Sequence, residues 1–274
     1  MIKIGCLGPA NTFSHEATIK FAEKYNEFEI VFYKDFKSLI KAFKNSKVDE
    51  IVVPLANSTG KAVVDVLREL QDMKSFHGIQ ELYLQVTQCL IGYGKIEDIK
   101  IVYSHPQGIK QTVESLSKLN DVCIKICNST AGAVQFVSSK KDKSIAAIGP
   151  KFASINYQVP IIGEISDEDG SETRFLLLNN KKTKPTGNDK TTLFFRIADE
   201  TGSLEKVVHI FTKNKINMTM LSSMRKEEGA DSRLFFADAD GHCDDENLAK
   251  ALKEIEIMEG VIELVVLGSY PKAK

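Results

Sequence analysis

Asn179-Asn180-Lys181-Lys182-Thr183-Lys184-Pro185-Thr186-Gly187-Asn188-Asp189-Lys190 divides the chain. The stretch is polar, lysine-rich and broken by a proline and a glycine. It cannot bury apolar area, so a solvated loop is expected here. The patterning differs on its two sides, which predicts one unit over 1–180 and a smaller one over 190–274.

Upstream, strand and helix signals alternate, which argues for α/β architecture. Ile2 to Leu7, Phe28 to Tyr33, Glu50 to Pro54, Val122 to Cys127 and Ser144 to Ile148 read as strands. Leu84 to Tyr93 reads as one long strand, followed by Ile101 to Tyr103. Ser14 to Tyr25, Phe36 to Asn45, Gln107 to Lys118 and Ala131 to Ser139 read as helices. Downstream, Thr192 to Ala198, Met218 to Arg225, Arg233 to Ala239 and Val261 to Leu267 are strands, with helices over Leu204 to Lys213 and Asn247 to Ile255. That order, βαββαβ, is an α+β ferredoxin-like plait.

A chain of 274 residues has room for about two domains at roughly 100–200 residues each. Lys and Arg number 36 against 37 Asp and Glu, a net charge of −1, which leaves no basic footprint for nucleic acid. No apolar run approaches the ~20 residues of a membrane span. Met1-Ile2-Lys3-Ile4-Gly5 enters a strand pattern directly, without the marks of a signal peptide. The five cysteines, Cys6, Cys89, Cys123, Cys127 and Cys243, are scattered and mostly in strand-like runs. Free thiols in a reducing compartment, hence a cytoplasmic location, are expected. No CxxC or clustered His/Cys spacing predicts a structural metal, and no dinucleotide, Walker, zincin or nucleophile-elbow motif occurs.

Four strand ends run into short turns and then helices: Gly8-Pro9-Ala10-Asn11-Thr12-Phe13-Ser14-His15, Asn57-Ser58-Thr59-Gly60, Ser104-His105-Pro106-Gln107 and Asn128-Ser129-Thr130-Ala131-Gly132. Ligand crevices of open α/β sheets lie beyond the carboxyl ends of the strands. Helix N-termini there offer free N–H groups, and hydroxyls and amides add donors, which suits a small polyanion. The same residues also serve as plain N-caps. His15 and His105 are either capping hydrogen-bonders or proton shuttles. A fifth segment, Glu172-Thr173-Arg174-Phe175, follows the acidic loop Ser166-Asp167-Glu168-Asp169-Gly170-Ser171. It offers a hydroxyl beside a guanidinium able to grip a carboxylate, or else an arginine neutralising its own loop.

Gly8-Pro9 with Thr12-Phe13-Ser14-His15, Pro54 with Asn57-Ser58, Ser104-His105-Pro106-Gln107, Ser129-Thr130-Ala131 and Thr173-Arg174-Phe175 occur in this order along the chain. This ordered set resembles the prephenate dehydratases, and the C-terminal plait resembles the ACT domain that follows the catalytic domain in that family. The resemblance spans essentially the whole chain. It implies a catalytic domain of two lobes around a cleft, like a periplasmic binding protein, with no cofactor and no metal. It also implies homodimers or homotetramers joined through ACT domains. The sequence departs from the family pattern at Ala56, where glutamate is usual, and at Lys61, where glycine is usual. Asn11 stands in place of a glycine and Ser171 in place of an asparagine.

The implied reaction expels CO2 and water from prephenate and leaves phenylpyruvate, a step of L-phenylalanine biosynthesis. The resemblance assigns Thr173 as the catalytic group at the leaving hydroxyl. Arg174, Phe175, Thr12, Ser14, Asn57, Ser58, Ser104, His105, Gln107, Ser129 and Thr130 are assigned to substrate. The alternatives are a decarboxylase that keeps the ring hydroxyl and a non-catalytic ligand-sensing paralogue. For the ACT domain, the resemblance implies an L-phenylalanine pocket using Gly202, Ser203, Leu204, Asn217 and Ser223. The family's second effector motif is here Ser222-Ser223-Met224-Arg225, without its glutamate and Arg-Pro corner. A weak or absent response to L-phenylalanine is therefore expected.

Overall fold

The computed structural model describes residues 1–57, 64–70, 76–119, 121–166, 172–224 and 231–273, with the side chains of residues 57, 64, 65 and 68 left aside. Ser58, Lys61, Ser171 and Arg225 lie outside the described residues.

The first lobe is built on a five-stranded sheet of order β2-β1-β3-β10-β4. Its strands are β1 (Ile2–Leu7), β2 (Phe28–Tyr33), β3 (Glu50–Asn57), β4 (His77–Gln85) and β10 (Glu172–Asn179). The helices α1 (Phe13–Ala22), α2 (Phe36–Lys44) and α3 (Val64–Leu70) lie between its first four strands in the chain. α1 starts where the Thr12 hydroxyl accepts from His15 N, and α2 where Asp35 accepts from Ser38 N. α1 covers one sheet face with Ala17 and Phe21 over Ile4, Cys6, Phe175 and Leu177. α2 and α3 cover part of the other.

The second lobe is a five-stranded sheet of order β7-β6-β8-β5-β9. It contains β5 (Gln88–Gly92), β6 (Ile101–Ser104), β7 (Cys123–Ile126), β8 (Ile145–Pro150) and β9 (Ile161–Glu164). Its helices are α4 (Pro106–Lys110), α5 (Val113–Ser117), α6 (Thr130–Lys140) and α7 (Lys151–Tyr157). The chain passes between lobes twice, from β4 to β5 and from β9 back to β10. The long strand expected from Leu84 to Tyr93 is therefore two strands in different sheets, broken at Val86-Thr87. Strand-like residues run from one half into the other with no glycine or proline at Gln85 to Gln88, so the sequence carries no breaker at the crossing. The helix expected over Gln107 to Lys118 is also divided. The buried Thr112 hydroxyl bonds back to the carbonyls of Gly108 at 2.9 Å and Ile109 at 3.2 Å, where the helix is interrupted.

The third unit is an antiparallel sheet of order β12-β13-β11-β14. Its elements are β11 (Asp189–Ala198), α8 (Ser203–Lys213), β12 (Met218–Ser223), β13 (Ser232–Asp240), α9 (Glu246–Glu256) and β14 (Val261–Pro271). Leu193, Phe195 and Phe235 meet α8 and α9 on one face. Phe194, Phe236, Leu267 and Tyr270 point the other way and join the first lobe's core with Val53, Leu176 and Leu178. The period-2 alternation of strands thus gives this sheet two buried faces. Gly78 on β4 and Gly268 on β14 meet backbone to backbone, and a Cβ on Gly268 would stand 2.3 Å from the Gly78 carbonyl oxygen. Asp189 and Lys190, expected in the solvated loop, are instead the buried first residues of β11. No helix among the described residues is long and apolar enough to cross a membrane.

Candidate active site

β1, β3 and β4 end on one rim of the first lobe, and β10 begins there. Thr173 pairs with Asn57 across one neighbour and Leu84 across the other, although 116 residues separate Asn57 from Thr173 in the chain. Thr173 is half-buried, and no hydrogen bond among the described residues engages its hydroxyl. One residue earlier, Glu172 Oε1 accepts from Gln85 Nε2 at 2.6 Å, tying the two interlobe crossings together.

The second lobe turns its carboxyl rim to the same place. Ser129 caps α6, its Oγ accepting from Gly132 N at 2.9 Å, and Thr130 opens the helix. Both are half-buried, with the helix's free N–H groups beside them. The rims meet where His15, in the first turn of α1, packs edge-on against Phe152, in the first turn of α7, at 5.3 Å between ring centroids. His15 also meets Phe32 at 4.9 Å, and its Nδ1 accepts from Asn11 N at 2.9 Å. Burial lowers its pKa below the ordinary 6.5. Asn11 takes the left-handed φ of 67°, the conformation that explains a glycine at this position in the family pattern.

Several expected substrate contacts sit elsewhere. Arg174 does not face the cleft. Neighbours on a strand point to opposite faces, so Arg174 turns away from Thr173 into the junction with the third unit. There it pairs with Glu81 and Asp238. Phe175 is 2% exposed and packs in the core beneath α1. Ser104 is fully buried, and its hydroxyl donates to the Ile148 carbonyl at 3.2 Å under Gly108. The Thr12 hydroxyl donates to the Pro9 carbonyl at 3.1 Å, so it serves its own turn. His105 Nδ1 accepts from Gln107 N at 3.2 Å, making this side chain the cap of α4. Gln107 is exposed at the rim, and Ser14 is half-buried at the start of α1.

Gln88 is a rim residue that no motif or spacing singled out. It opens β5 opposite Pro150, two residues beyond the level of Ser104 on this sheet. Its Nε2 donates to Gln111 Oε1 at 3.0 Å, and its backbone N donates to Ser166 Oγ at 2.7 Å. Its side chain is 2% exposed, and its Oε1 has no partner among the described residues.

In the third unit, Ser203, Leu204 and Ser223 line a hollow of about 340 Å³ with Asp199, Arg233 and Phe235. Gly202 caps α8 beside it at φ +86°. Asn217 is not there. It lies just before the far end of β12, its Nδ2 donating to Asp240 Oδ2 at 3.0 Å. A second hollow, of about 240 Å³, brings His77 near His242, Cys243 and Asp244. The ligating atoms of His242, Cys243 and Asp244 lie within 4.8 Å of one another. Both His242 ring nitrogens are already engaged, Nδ1 by Asp244 N at 3.1 Å and Nε2 by Thr183 Oγ1 at 3.2 Å, which marks the residue as a structural brace.

Comparison with known proteins identifies the family. The family model for prephenate dehydratase matches residues 4–183, and that for the ACT domain matches residues 191–257. The chain is 32% identical over 278 residues to a bifunctional chorismate mutase/prephenate dehydratase of Aquifex aeolicus, covering 99% of this chain and 74% of that one. It is 31% identical over 272 residues to a prephenate dehydratase of Methanocaldococcus jannaschii, covering 96% of each. The crystal structure of prephenate dehydratase in complex with L-Phe from Arthrobacter aurescens superposes with a TM-score of 0.87 at 22% identity, covering 99% of this chain and 90% of that one. The chain belongs to the prephenate dehydratase family, with a two-lobed catalytic domain followed by an ACT domain.

Proposed function

We propose that this chain carries out the family's reaction in the cleft between its lobes, with Thr173 as the catalytic group. The observation that carries the reading is the half-buried Thr173 hydroxyl at the rim, paired across the sheet with Asn57 and without a partner among the described residues. Prephenate dianion and one proton give phenylpyruvate, CO2 and water. The electron pair of the ring–carboxylate bond enters the ring as the carbon–oxygen bond breaks, and the departing oxygen is protonated. A threonine hydroxyl is too weak an acid to be the proton's source. It donates a hydrogen bond that strengthens as the oxygen gains charge, which favours the transition state over bound substrate.

The first turns of α1 and α6 supply N–H groups for the two carboxylates, with Ser14, Ser129 and Thr130 beside them. Gln88 offers a buried acceptor at the same rim. Its lone Oε1 suits the ring hydroxyl's proton while substrate waits.

In this reading the ACT domain pairs chains in the cytoplasm. It offers the hollow at Ser203, Leu204 and Ser223 to an amino-acid effector of the L-phenylalanine type, with weak affinity because polar groups of the second motif are missing. The test is incubation with prephenate and identification of the product. Phenylpyruvate formed by the native chain, with kcat lowered about 100-fold or more in Thr173→Val, supports the reading. A dihydro product that retains its hydroxyl overturns it.

A further inference from the structure

Thr173 and Arg174 are consecutive on β10 and serve opposite sides of the sheet. Thr173 lies on the face away from Arg174, and Arg174 reaches the ACT domain, its side chain 4% exposed. Arg174 Nε lies 2.8 Å from Glu81 Oε2 on β4. Both terminal nitrogens grip the Asp238 carboxylate on β13, with Nη2 at 3.2 Å from Oδ1. Nη2 also donates to Thr192 Oγ1 on β11 at 3.1 Å and Tyr270 Oη on β14 at 2.6 Å. Three of these four partners therefore come from the ACT sheet. Lys190, also from β11, meets Glu81 at 2.9 Å and completes a cluster of two cations and two carboxylates. Burial alone would lower the guanidinium's pKa, but Tyr270, Asp238 and Glu81 outweigh it and hold the group charged.

The sheet holds this end of β10 unevenly: against β4 the pairing from Glu172 to Leu177 is unbroken, and against β3 it is not. Between Arg174 and Phe175 the register against β3 shifts, Arg174 facing Ala56 and Phe175 facing Pro54. Leu55 is passed over, and Pro54 has no N–H to donate. On the β3 side the tip carrying Thr173 is thus offset by an irregularity, and the next residue's side chain is pinned to the ACT sheet.

We propose that Arg174 is a positioning residue for Thr173, and that the ACT domain, through Asp238, completes the catalytic geometry of its own chain. The inference rests on Thr173 being the group at the leaving hydroxyl. It gives the ACT sheet a mechanical role even without effector. Asp238 and Phe235 lie three residues apart on β13 and point to opposite faces, Asp238 to Arg174 and Phe235 into the hollow at Ser203 and Ser223. A shift of β13 at the hollow is therefore delivered to Arg174.

A double-mutant cycle in the full-length chain separates positioning from general stability. kcat and KM for prephenate are measured for Asp238→Asn, Thr173→Val and the pair, at a temperature where circular dichroism shows each variant folded. Asp238→Asn is expected to lower kcat about 10-fold or more with KM within about twofold, because a small misplacement of a catalytic group is costly. In the Thr173→Val background the same change should lower kcat by less than about twofold. If Asp238→Asn does not fold, Tyr270→Phe, which removes the hydroxyl's contacts to Arg174 and Thr192 and no charge, enters the same cycle with an expected fall of about threefold. An equal fall in both backgrounds makes the cluster purely structural and overturns the proposal. An unchanged kcat in Thr173→Val overturns instead the reading on which it rests.

Discussion

Replacing Arg174 by methionine tests whether the buried cluster also holds the two domains together. In the native chain Arg174 and Lys190 balance Glu81 and Asp238, and all four side chains are at most 10% exposed. Methionine fills much of the arginine's volume, so the cavity term is small. The dominant effect is one uncompensated carboxylate charge in a place water cannot reach. Removing one partner of a buried ion pair costs about 3–5 kcal/mol, a large share of the ~5–15 kcal/mol that stabilises a domain. The loss should shrink as pH falls, since a stranded carboxylate can take up a proton. The chain has no tryptophan, so urea unfolding is followed by far-UV circular dichroism. The sharper expectation concerns a second change. Adding Asp238→Asn to Arg174→Met removes the stranded charge and leaves Lys190 with Glu81, so the double variant should be more stable than Arg174→Met alone, by about 1–3 kcal/mol. A single-variant loss under about 1 kcal/mol would refute the reasoning, as would a double variant no better than the single.

Four further outcomes are expected. Ser129→Ala should raise KM for prephenate several-fold and cost about 1 kcal/mol of stability, the usual worth of an N-cap; an unchanged KM removes Ser129 from the substrate site. Burial lowers the His15 pKa below 6.5, so on acidification the unfolded chain binds a proton that the folded chain refuses. Its contribution to stability is present above about pH 6.5 and lost below. The stability gap between native chain and His15→Gln should then narrow from about pH 7.5 to about pH 5.5, and a constant gap contradicts this. Gly268→Ala would place a Cβ 2.3 Å from the Gly78 carbonyl oxygen and should cost about 1–3 kcal/mol by forcing β14 from β4, measured by thermal melting. Among the described thiols, Cys123 is exposed, whereas burial pushes Cys6 and Cys89 up to about 11, so mass spectrometry after mild alkylation should find Cys123 modified and the other two intact.

The linear sequence already determined the local choices. Thr12, Asp35 and Ser129 start helices because a side-chain oxygen next to the first turn satisfies an orphan N–H, and that requires only neighbours in the chain. Alternation along Thr192 to Ala198 gave a strand, and the loop around Pro185 gave a separator, for equally local reasons. Even the opposite facing of Thr173 and Arg174 was legible, since two adjacent strand residues cannot share a cleft. Reading the pair as one site overlooked that period. What only the tertiary structure decided involves partners far apart in the chain. The strand-like stretch around Val86-Thr87 belongs to two sheets, and no glycine or proline marks the crossing. The role of Arg174 depends on Asp238, Thr192 and Tyr270, which no spacing rule links to it. Gln88 stands out only once folding has buried its carboxamide oxygen with no donor among the described residues. A propensity is set by a residue and its neighbours, whereas the cost of an unpaired buried polar group is set by whatever the fold brings against it.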